Sequence, residues 1–493
     1  MTEAEFLSIV EPGDVQADLL VIGCFENEAP PLDGLAGPVA AAARRLAERT
    51  GWKGGDKQYV ETAPGEGPVA VVGLQGLGAR GELDVRRSLR WICRRVEWAQ
   101  NAGIAHLALR LPAADTTLGP AAAERVARTA ALAQYRFDRY LTERRRRSHR
   151  LDRLTLLPPN GGARDYRQAV ADVPALAAAL VLTRDLANAP ANEAHPEWME
   201  ERARDLAQSR GMEVSVLHRD ELERRGMGGI LAVGVGSRRE PRLVRLDWGE
   251  GDLALSLVGK GVTFDTGGIS IKPANDMDEM KYDKAGACTV LGIAQAVADL
   301  ELPVRLRVYV PLVENMPDGG AYRPGDIVRC YNGKTVEVIN TDAEGRMILA
   351  DSLAWAAEEE PDVLLEYSTL TGASVVALGQ NAAGLYSPDE DLATGLLEAA
   401  RDSGEQLWRM PLWPEFLEQM KGTHADLKNS ASRWGGANTA AAFLSEFVGG
   451  LRSWAHLDIA GGAYVSRDSE EHPRGATGYG VALTVNWLRG HLG

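Results

Sequence analysis

The sequence predicts an α/β protein: two α/β domains with mainly parallel central sheets, joined by a helix, the C-terminal domain being the larger. Three observations lead there. Short apolar runs alternate with stretches of helical periodicity through residues 17–135. The alternation stops at a basic run and a turn cluster, Pro158-Pro-Asn-Gly-Gly162. It then resumes over a longer segment that contains 253–258, a continuous apolar run of the kind a strand buried on both faces requires. A chain of 493 residues accommodates at least two such units.

In the first domain, 19–23 reads as a strand. A second strand, 69–74, follows the turn-rich Pro64-Gly65-Glu66-Gly67-Pro68. Residues 83–100 carry Leu89, Ile92, Cys93 and Val96 on one helical face. A strand at 106–111 and a helix at 121–135 complete the pattern, which favours a sheet covered on both sides. The basic run Glu143-Arg-Arg-Arg-Arg147-Ser-His149-Arg150 and the turn cluster place a boundary near Gly162, and 165–187 reads as one helix. The expected organisation is an N-terminal domain over 1–162, a linker helix over 163–190 and a C-terminal domain over 191–493.

In the second domain, 214–217 is a strand and Asp220 caps a short helix. Strand 253–258 ends in Gly259-Lys260-Gly261. Residues 286–300 are helical and 304–310 extended. Asn332-Gly333 between 327–331 and 334–339 is a strong hairpin signal. A helix at 347–358 and a strand at 363–365 follow. Ligands of such sheets bind beyond the carboxyl ends of strands, so the loops after Val258 and Ile339 hold the interest.

Composition narrows the function. Apolar residues make up 45% and charged residues 25%, the balance of a globular chain. The net charge of −15 argues against a surface adapted throughout to nucleic acid. Cys24, Cys93, Cys288 and Cys330 are far apart with no Cys-x-x-Cys, which excludes a disulfide framework or zinc finger and suits a reducing compartment. The start of the chain is acidic and has no apolar signal region. The longest apolar run, near 175–182, is far below the roughly 18 residues a membrane span needs. These features lead us to expect a soluble, cytoplasmic protein with no membrane partner. Gly259-Lys260 lacks the rest of a phosphate-binding loop, Gly234–Arg239 lacks the third glycine of a dinucleotide fingerprint, and neither a Gly-x-Ser-x-Gly elbow nor a His-Glu-x-x-His pair occurs.

Two segments carry chemistry. The first runs from Val258 through Lys260, Asp265, Thr266-Gly267-Gly268 and Lys272 to Asp283; the second is Asn340-Thr-Asp342-Ala-Glu344-Gly-Arg346. Each segment taken alone could be helix caps and surface salt bridges, since acids are favoured before a helix. Together, carboxylates gathered from two strand ends repel one another unless cations hold them. Asp265, Asp283, Asp342 and Glu344 supply four negative charges, which two divalent metals balance. Hard oxygen ligands suit Zn²⁺, Mn²⁺ or Mg²⁺. Two metals about 3.5–4 Å apart form a hydrolytic clamp in which a bridging water is the nucleophile. One lysine can ligate as a neutral amine beside a dication, and another, kept charged, can stabilise an oxyanion.

Both segments resemble the signatures of the leucyl aminopeptidase (cytosol aminopeptidase) family, and Asn340–Arg346 matches a seven-residue signature throughout. The likeness continues through Arg184-Asp-Leu-Ala-Asn188-Ala-Pro190-Ala-Asn192, Gly226-Met-Gly-Gly229, Arg323-Pro-Gly-Asp326, Thr369-Leu-Thr-Gly372 and Trp454-Ala-His-Leu-Asp-Ile-Ala-Gly461, so it covers about residue 184 to the end. The resemblance implies a metal-dependent aminopeptidase that releases leucine or other N-terminal residues from peptides. One tightly held metal would be bound by Lys260, Asp265, Asp283 and Glu344. A more exchangeable one would be bound by Asp265, Asp342 and Glu344 with the Asp342 carbonyl. The metals would be Mn²⁺ or Zn²⁺. Lys272 would polarise the scissile carbonyl, and Arg346 would hold a bicarbonate acting as general base. Met280, Thr369, Leu370 and Gly372 would line the pocket for the first side chain. A free α-amine on one metal would restrict cleavage to N-terminal residues. The family also implies a homohexamer, a dimer of trimers.

The chain departs from the family pattern at Glu366, where Asp is usual, and at Ser430-Ala-Ser-Arg433-Trp434, which replaces a glycine-rich stretch. Neither departure removes a ligand; both bear on pocket shape. An additional DNA-binding or regulatory role is the alternative, supported locally by the basic run Arg144–Arg150 with its arginines Arg144–Arg147, whose simpler reading is a solvated helix end or a subunit contact. A two-metal phosphatase or nuclease is disfavoured by the amine ligand and the apolar Met280–Leu370 pocket.

Overall fold

The structure is a computed structural model that describes residues 6–83, 85–112, 120–146, 149–158, 162–468 and 473–492. It divides into two compact units, one over Met1–Ala177 with Asp468–Pro473, the other over Ala178–Arg467 with Arg474–Gly493.

The first unit is a six-stranded sheet of β1 (Leu7–Ile9), β2 (Ala17–Cys24), β3 (Tyr59–Thr62), β4 (Val69–Gly76), β5 (His106–Arg110) and β6 (Arg153–Leu157), in the order β1-β6-β5-β2-β4-β3. Every pairing is parallel except β3 with β4. Successive residues of a strand face opposite ways, so β2 feeds two cores. Leu19 and Val21 pack with Trp91, Ile92 and Val96 of a helix at Val85–Asn101 and with Val126 of one at Pro120–Leu132. Leu20 and Ile22 pack with Val39, Ala43 and Leu46 of a helix at Gly37–Thr50. That helix and strands β1, β3 and β6 were not read from the sequence. Residues 165–187, read as one helix, form two, Ala163–Ala169 and Val173–Asn188. Pro174 explains the break: it has no N–H to donate to the Val170 carbonyl and its ring would clash there, whereas proline is tolerated in the first turn of a new helix. Thr142–Arg146 of the basic run is exposed, and the Arg146 guanidinium donates back to the Leu141 and Arg139 carbonyls. Arg147 and residues 159–161 of the turn cluster lie outside the described residues.

The second unit is built on a nine-stranded sheet: β7 (Glu213–Leu217), β8 (Arg242–Trp248), β9 (Leu253–Gly259), β10 (Gly261–Asp265), β11 (Val304–Asn315), then β14 (Val363–Ser368), β15 (Ala382–Tyr386), β16 (Gln406–Arg409) and β18 (Trp454–Asp458). The order is β16-β15-β18-β14-β9-β11-β8-β7, with β10 added to β11. Its centre, β18-β14-β9-β11, is parallel. Helices α1 (Gly345–Glu358) and α2 (Gly436–Ser445) cover one face, burying Ile348, Leu353 and Phe443 against Val258, Leu364 and Trp454. A helix at Ala285–Asp299 packs against β9, β11 and β14. Both faces of β9 and β14 are therefore buried, as their unbroken apolar runs require. Among the described residues no helix is long and apolar enough to cross a membrane.

The hairpin at Asn332-Gly333 forms, with Gly333 at φ 86°, joining β12 (Ile327–Arg329) and β13 (Thr335–Glu337). It does not belong to the central sheet. β13 stops at Glu337 and pairs with β17 (Leu427–Lys428) in a separate three-stranded sheet. Beyond it the backbone turns away: Val338 N–H donates to the Asp326 carbonyl and Ile339 N–H to Asn429 Oδ1. The second segment therefore enters the site from this small sheet, not from a strand end of the large one.

Candidate metal centre

The first segment leaves the carboxyl end of β9 at Lys260, runs along β10 to Asp265, then bends sharply through Thr266-Gly267-Gly268. Both glycines take positive φ, 85° and 66°. A Cβ on Gly267 would stand 2.5 Å from the Ser270 carbonyl oxygen, and one on Gly268 2.7 Å from Asn315 Oδ1. Only glycine fits either position, and the close approach inferred from the sequence is met. The second segment is stitched against this bend. Thr341 Oγ1 donates to the Gly267 carbonyl at 2.6 Å and accepts from Ser270 N–H at 2.8 Å, and Ser270 Oγ accepts from Thr341 N–H at 3.2 Å.

The stitching gathers the predicted ligand residues. Asp265, Asp342 and Glu344 each present an oxygen such that the three lie within 4.8 Å of one another. Lys260 Nζ lies 2.7 Å from Asp283 Oδ1 and 2.9 Å from Glu344 Oε1. Lys272 Nζ lies 2.8 Å from Asp265 Oδ2 and 2.5 Å from Asp342 Oδ1. Lys260, Asp265, Asp283 and Glu344 are buried, while Asp342 and Lys272 sit at the rim. Gly345, inside the second segment, makes room for Lys260: a Cβ there would meet Lys260 Cε at 2.5 Å.

Four carboxylates face two ammonium groups, and the acidities record the crowding. Burial, aided by Glu344, pushes Asp265 up to about 6 against the pull of Lys272 and Lys260. Burial and the neighbouring carboxylates hold Asp283 well above the usual carboxylate range, and burial with Glu344 raises Asp342. Glu344 is also buried, but the two lysines outweigh that and lower it. Burial alone would lower both lysines; the surrounding carboxylates hold them above their ordinary value. Asp283 Oδ2 and Glu344 Oε2 are buried with no hydrogen-bond donor. Buried oxygens without donors, in a surplus of negative charge, fit hard divalent cations.

Of the remaining predicted residues, Thr369 joins the cluster directly. Its carbonyl accepts from Lys260 Nζ at 3.1 Å and its hydroxyl donates to Asp283 Oδ1 at 2.9 Å. Arg346 starts α1 buried near Glu344 and Asp458. Its Nη1 donates to the Asn429 carbonyl at 2.8 Å, its Nε has no partner, and burial lowers it to about 10. Met280 is half-buried on the turn Met277–Tyr282 that precedes Asp283. Leu370 is partly buried and packs against the core cluster of the second unit, and a Cβ on exposed Gly372 would meet nothing within 4 Å.

Sequence reasoning missed the residues that hold these groups. Asn315 Nδ2, at the end of β11, donates to Asp265 Oδ1 at 2.8 Å and to the Thr341 carbonyl at 3.0 Å. Tyr322 Oη donates to the same carbonyl at 2.8 Å. Asn429 accepts from Ile339 and Asn340 N–H and donates to the Asn340 carbonyl. The one available signal was the polar pair Glu314-Asn315 closing the apolar run 308–313.

Comparison with known proteins points to one family. The catalytic-domain description of the cytosol aminopeptidase family matches residues 181–485, and its N-terminal-domain description matches residues 21–144. A probable cytosol aminopeptidase of Roseiflexus castenholzii is 41% identical over 97% of each chain, and one of Cenarchaeum symbiosum 41% identical over 93% of each. Among solved structures, the bottromycin maturation enzyme BotP in complex with Mn aligns with a TM-score of 0.84 at 36% identity, covering 96% of this chain and 99% of that one. A tomato leucine aminopeptidase variant aligns with a TM-score of 0.83 at 31% identity, covering 98% and 96%.

Proposed function

Because the chain belongs to the cytosol aminopeptidase family and is a metal-dependent aminopeptidase acting on peptides, we propose that it binds two divalent cations, Mn²⁺ or Zn²⁺, at the cluster between Lys260 and Glu344. Lys260, Asp265, Asp283 and Glu344 hold one cation; Asp265, Asp342 and Glu344, with the Asp342 carbonyl, hold a more exchangeable one. The observation that carries this reading is the convergence of the three carboxylates within 4.8 Å beside two buried oxygens that have no donor. When bound, such cations polarise a peptide carbonyl and make water a competent nucleophile near neutral pH.

The chain's own groups do the rest. Lys272 has three N–H donors and spends two on Asp265 and Asp342, which leaves one for the carbonyl oxygen of a substrate as negative charge develops there. Arg346, with a free Nε and a planar guanidinium, suits a small planar anion and would hold a bicarbonate there, which would supply a general base. Met280, Thr369, Leu370 and Gly372 form the pocket for the first side chain, whose shape Gly372 leaves open. The family likeness also supports a cytoplasmic homohexamer built as a dimer of trimers; sedimentation of an active monomer would refute that assembly.

The test of the reading is direct. Chelation should abolish hydrolysis of a leucyl chromogenic substrate, and Mn²⁺ or Zn²⁺ should restore it with two equivalents bound. The same substrate with its α-amine acetylated should not be cleaved. One bound equivalent at full activity would overturn the two-cation reading.

A further inference from the structure

Asp458 ends β18 and is fully buried beside the end of β14, its Cα paired with that of Ser368. Both carboxylate oxygens are used on the chain that leaves β14. Oδ1 accepts from Leu370 N–H at 3.1 Å and from Ala460 N–H at 3.3 Å. Oδ2 accepts from the Thr371 hydroxyl at 2.7 Å, and that hydroxyl accepts in turn from Ser374 N–H at 3.0 Å, capping the helix Gly372–Leu378. The turn held this way presents Thr369, whose carbonyl meets Lys260 Nζ and whose hydroxyl meets Asp283 Oδ1. A carboxylate can accept on both sides at once, which an amide of the same shape cannot.

We propose that Asp458 is a positioning residue: by fixing the Thr369–Thr371 turn from outside the cluster, it aims Lys260 and Asp283 at the cation they share and sets the Leu370–Gly372 edge of the substrate pocket. This rests on the reading of Lys260 and Asp283 as ligands. Groups behind a ligand shell commonly change metal affinity by about 10- to 100-fold when lost. Thr369 is a group of that kind, and Asp458 acts on it one step further out, through Leu370 and Thr371 of the same turn.

The experiment measures Mn²⁺ binding to the full chain by calorimetry, with kcat and KM on a leucyl anilide and the melting temperature of the metal-free protein. Asp458→Asn keeps the volume but turns one acceptor into a donor facing Thr371. It should weaken one of the two Mn²⁺ equivalents by about 10- to 100-fold, leave the other, and raise KM as well as lower kcat. Thr371→Ala should do the same, Thr371→Ser should restore wild-type binding, and the Asp458→Asn/Thr371→Ala pair should be no worse than the more severe single change. Wild-type affinity for both equivalents in Asp458→Asn, or in Thr371→Ala should the first variant not fold, overturns the proposal even if melting changes. Lys260→Ala is the reference. If it too keeps both equivalents, the ligand reading fails; if it loses one while the Asp458 and Thr371 variants keep both, only the positioning role fails.

Discussion

Asn315 Nδ2 bridges the two segments of the site, donating to Asp265 Oδ1 at 2.8 Å and to the Thr341 carbonyl at 3.0 Å from the end of β11. It is completely buried. Asn315→Ala would remove one donor from each of these buried acceptors, leaving Asp265 Oδ1 with Gly267 N–H and the Thr341 carbonyl with Tyr322 Oη, and the two lost bonds together cost about 1–3 kcal/mol. The metal-free variant should unfold at lower denaturant by that amount with an unchanged m-value, and it should bind Mn²⁺ more weakly. Stability equal to the wild type would show that the two segments hold their places without it.

The shared and unshared carboxylates should behave differently. Asp265 and Glu344 are assigned to both cations and Asp342 only to the exchangeable one, in keeping with its place at the rim. Asp342→Ala should retain one tightly bound equivalent, while Asp265→Ala should compromise both. Metal analysis after dialysis separates the two. An Asp265→Ala protein that keeps two equivalents and normal turnover would contradict the assignment.

Away from the site, Asp351 offers a test by pH. It is fully buried in α1 and pushed up to about 7 by burial, despite backbone N–H donors from Ile230, Tyr331 and Gly229. An unfolded aspartate titrates near 3.9. Between roughly pH 4 and 7 the folded state therefore holds a proton that the unfolded state has released. Stability contributed at this position is full below that window and falls as pH rises through it. Relative to Asp351→Asn, which does not titrate, the wild type should lose stability between pH 5 and pH 8 in denaturant melts. A stability difference independent of pH would refute the assignment.

Much of the site could be read locally. Lys260 and Asp265 lie at the ends of apolar runs, Thr266-Gly267-Gly268 announces a tight bend, and Asn332-Gly333 makes its hairpin. The strand Arg242–Trp248 escaped because Arg245 and Asp247 break its apolar pattern; their charges are neutralised by each other and by Glu359 and Arg307, which only the fold brings near. Asn315, Tyr322, Asn429 and Asp458 escaped for a related reason. Each acts on a segment between about 20 and 90 residues away, and no local pattern says which strand ends will abut. The division of roles between the two lysines was not legible from spacing either; it came from the family likeness.

That division is the centre of the account, and metal content measured together with kcat on two variants tests it most directly. Lys272 sits at the rim between Asp265 and Asp342 with a donor to spare, so Lys272→Ala should keep both cations while kcat falls by about 10²–10³, the usual loss for one oxyanion donor. Lys260 is buried against Asp283 and Glu344, so Lys260→Ala should lose or loosen the tighter cation. Lys272→Ala losing a cation while Lys260→Ala retains both would mean that the two lysines have been assigned the wrong way round.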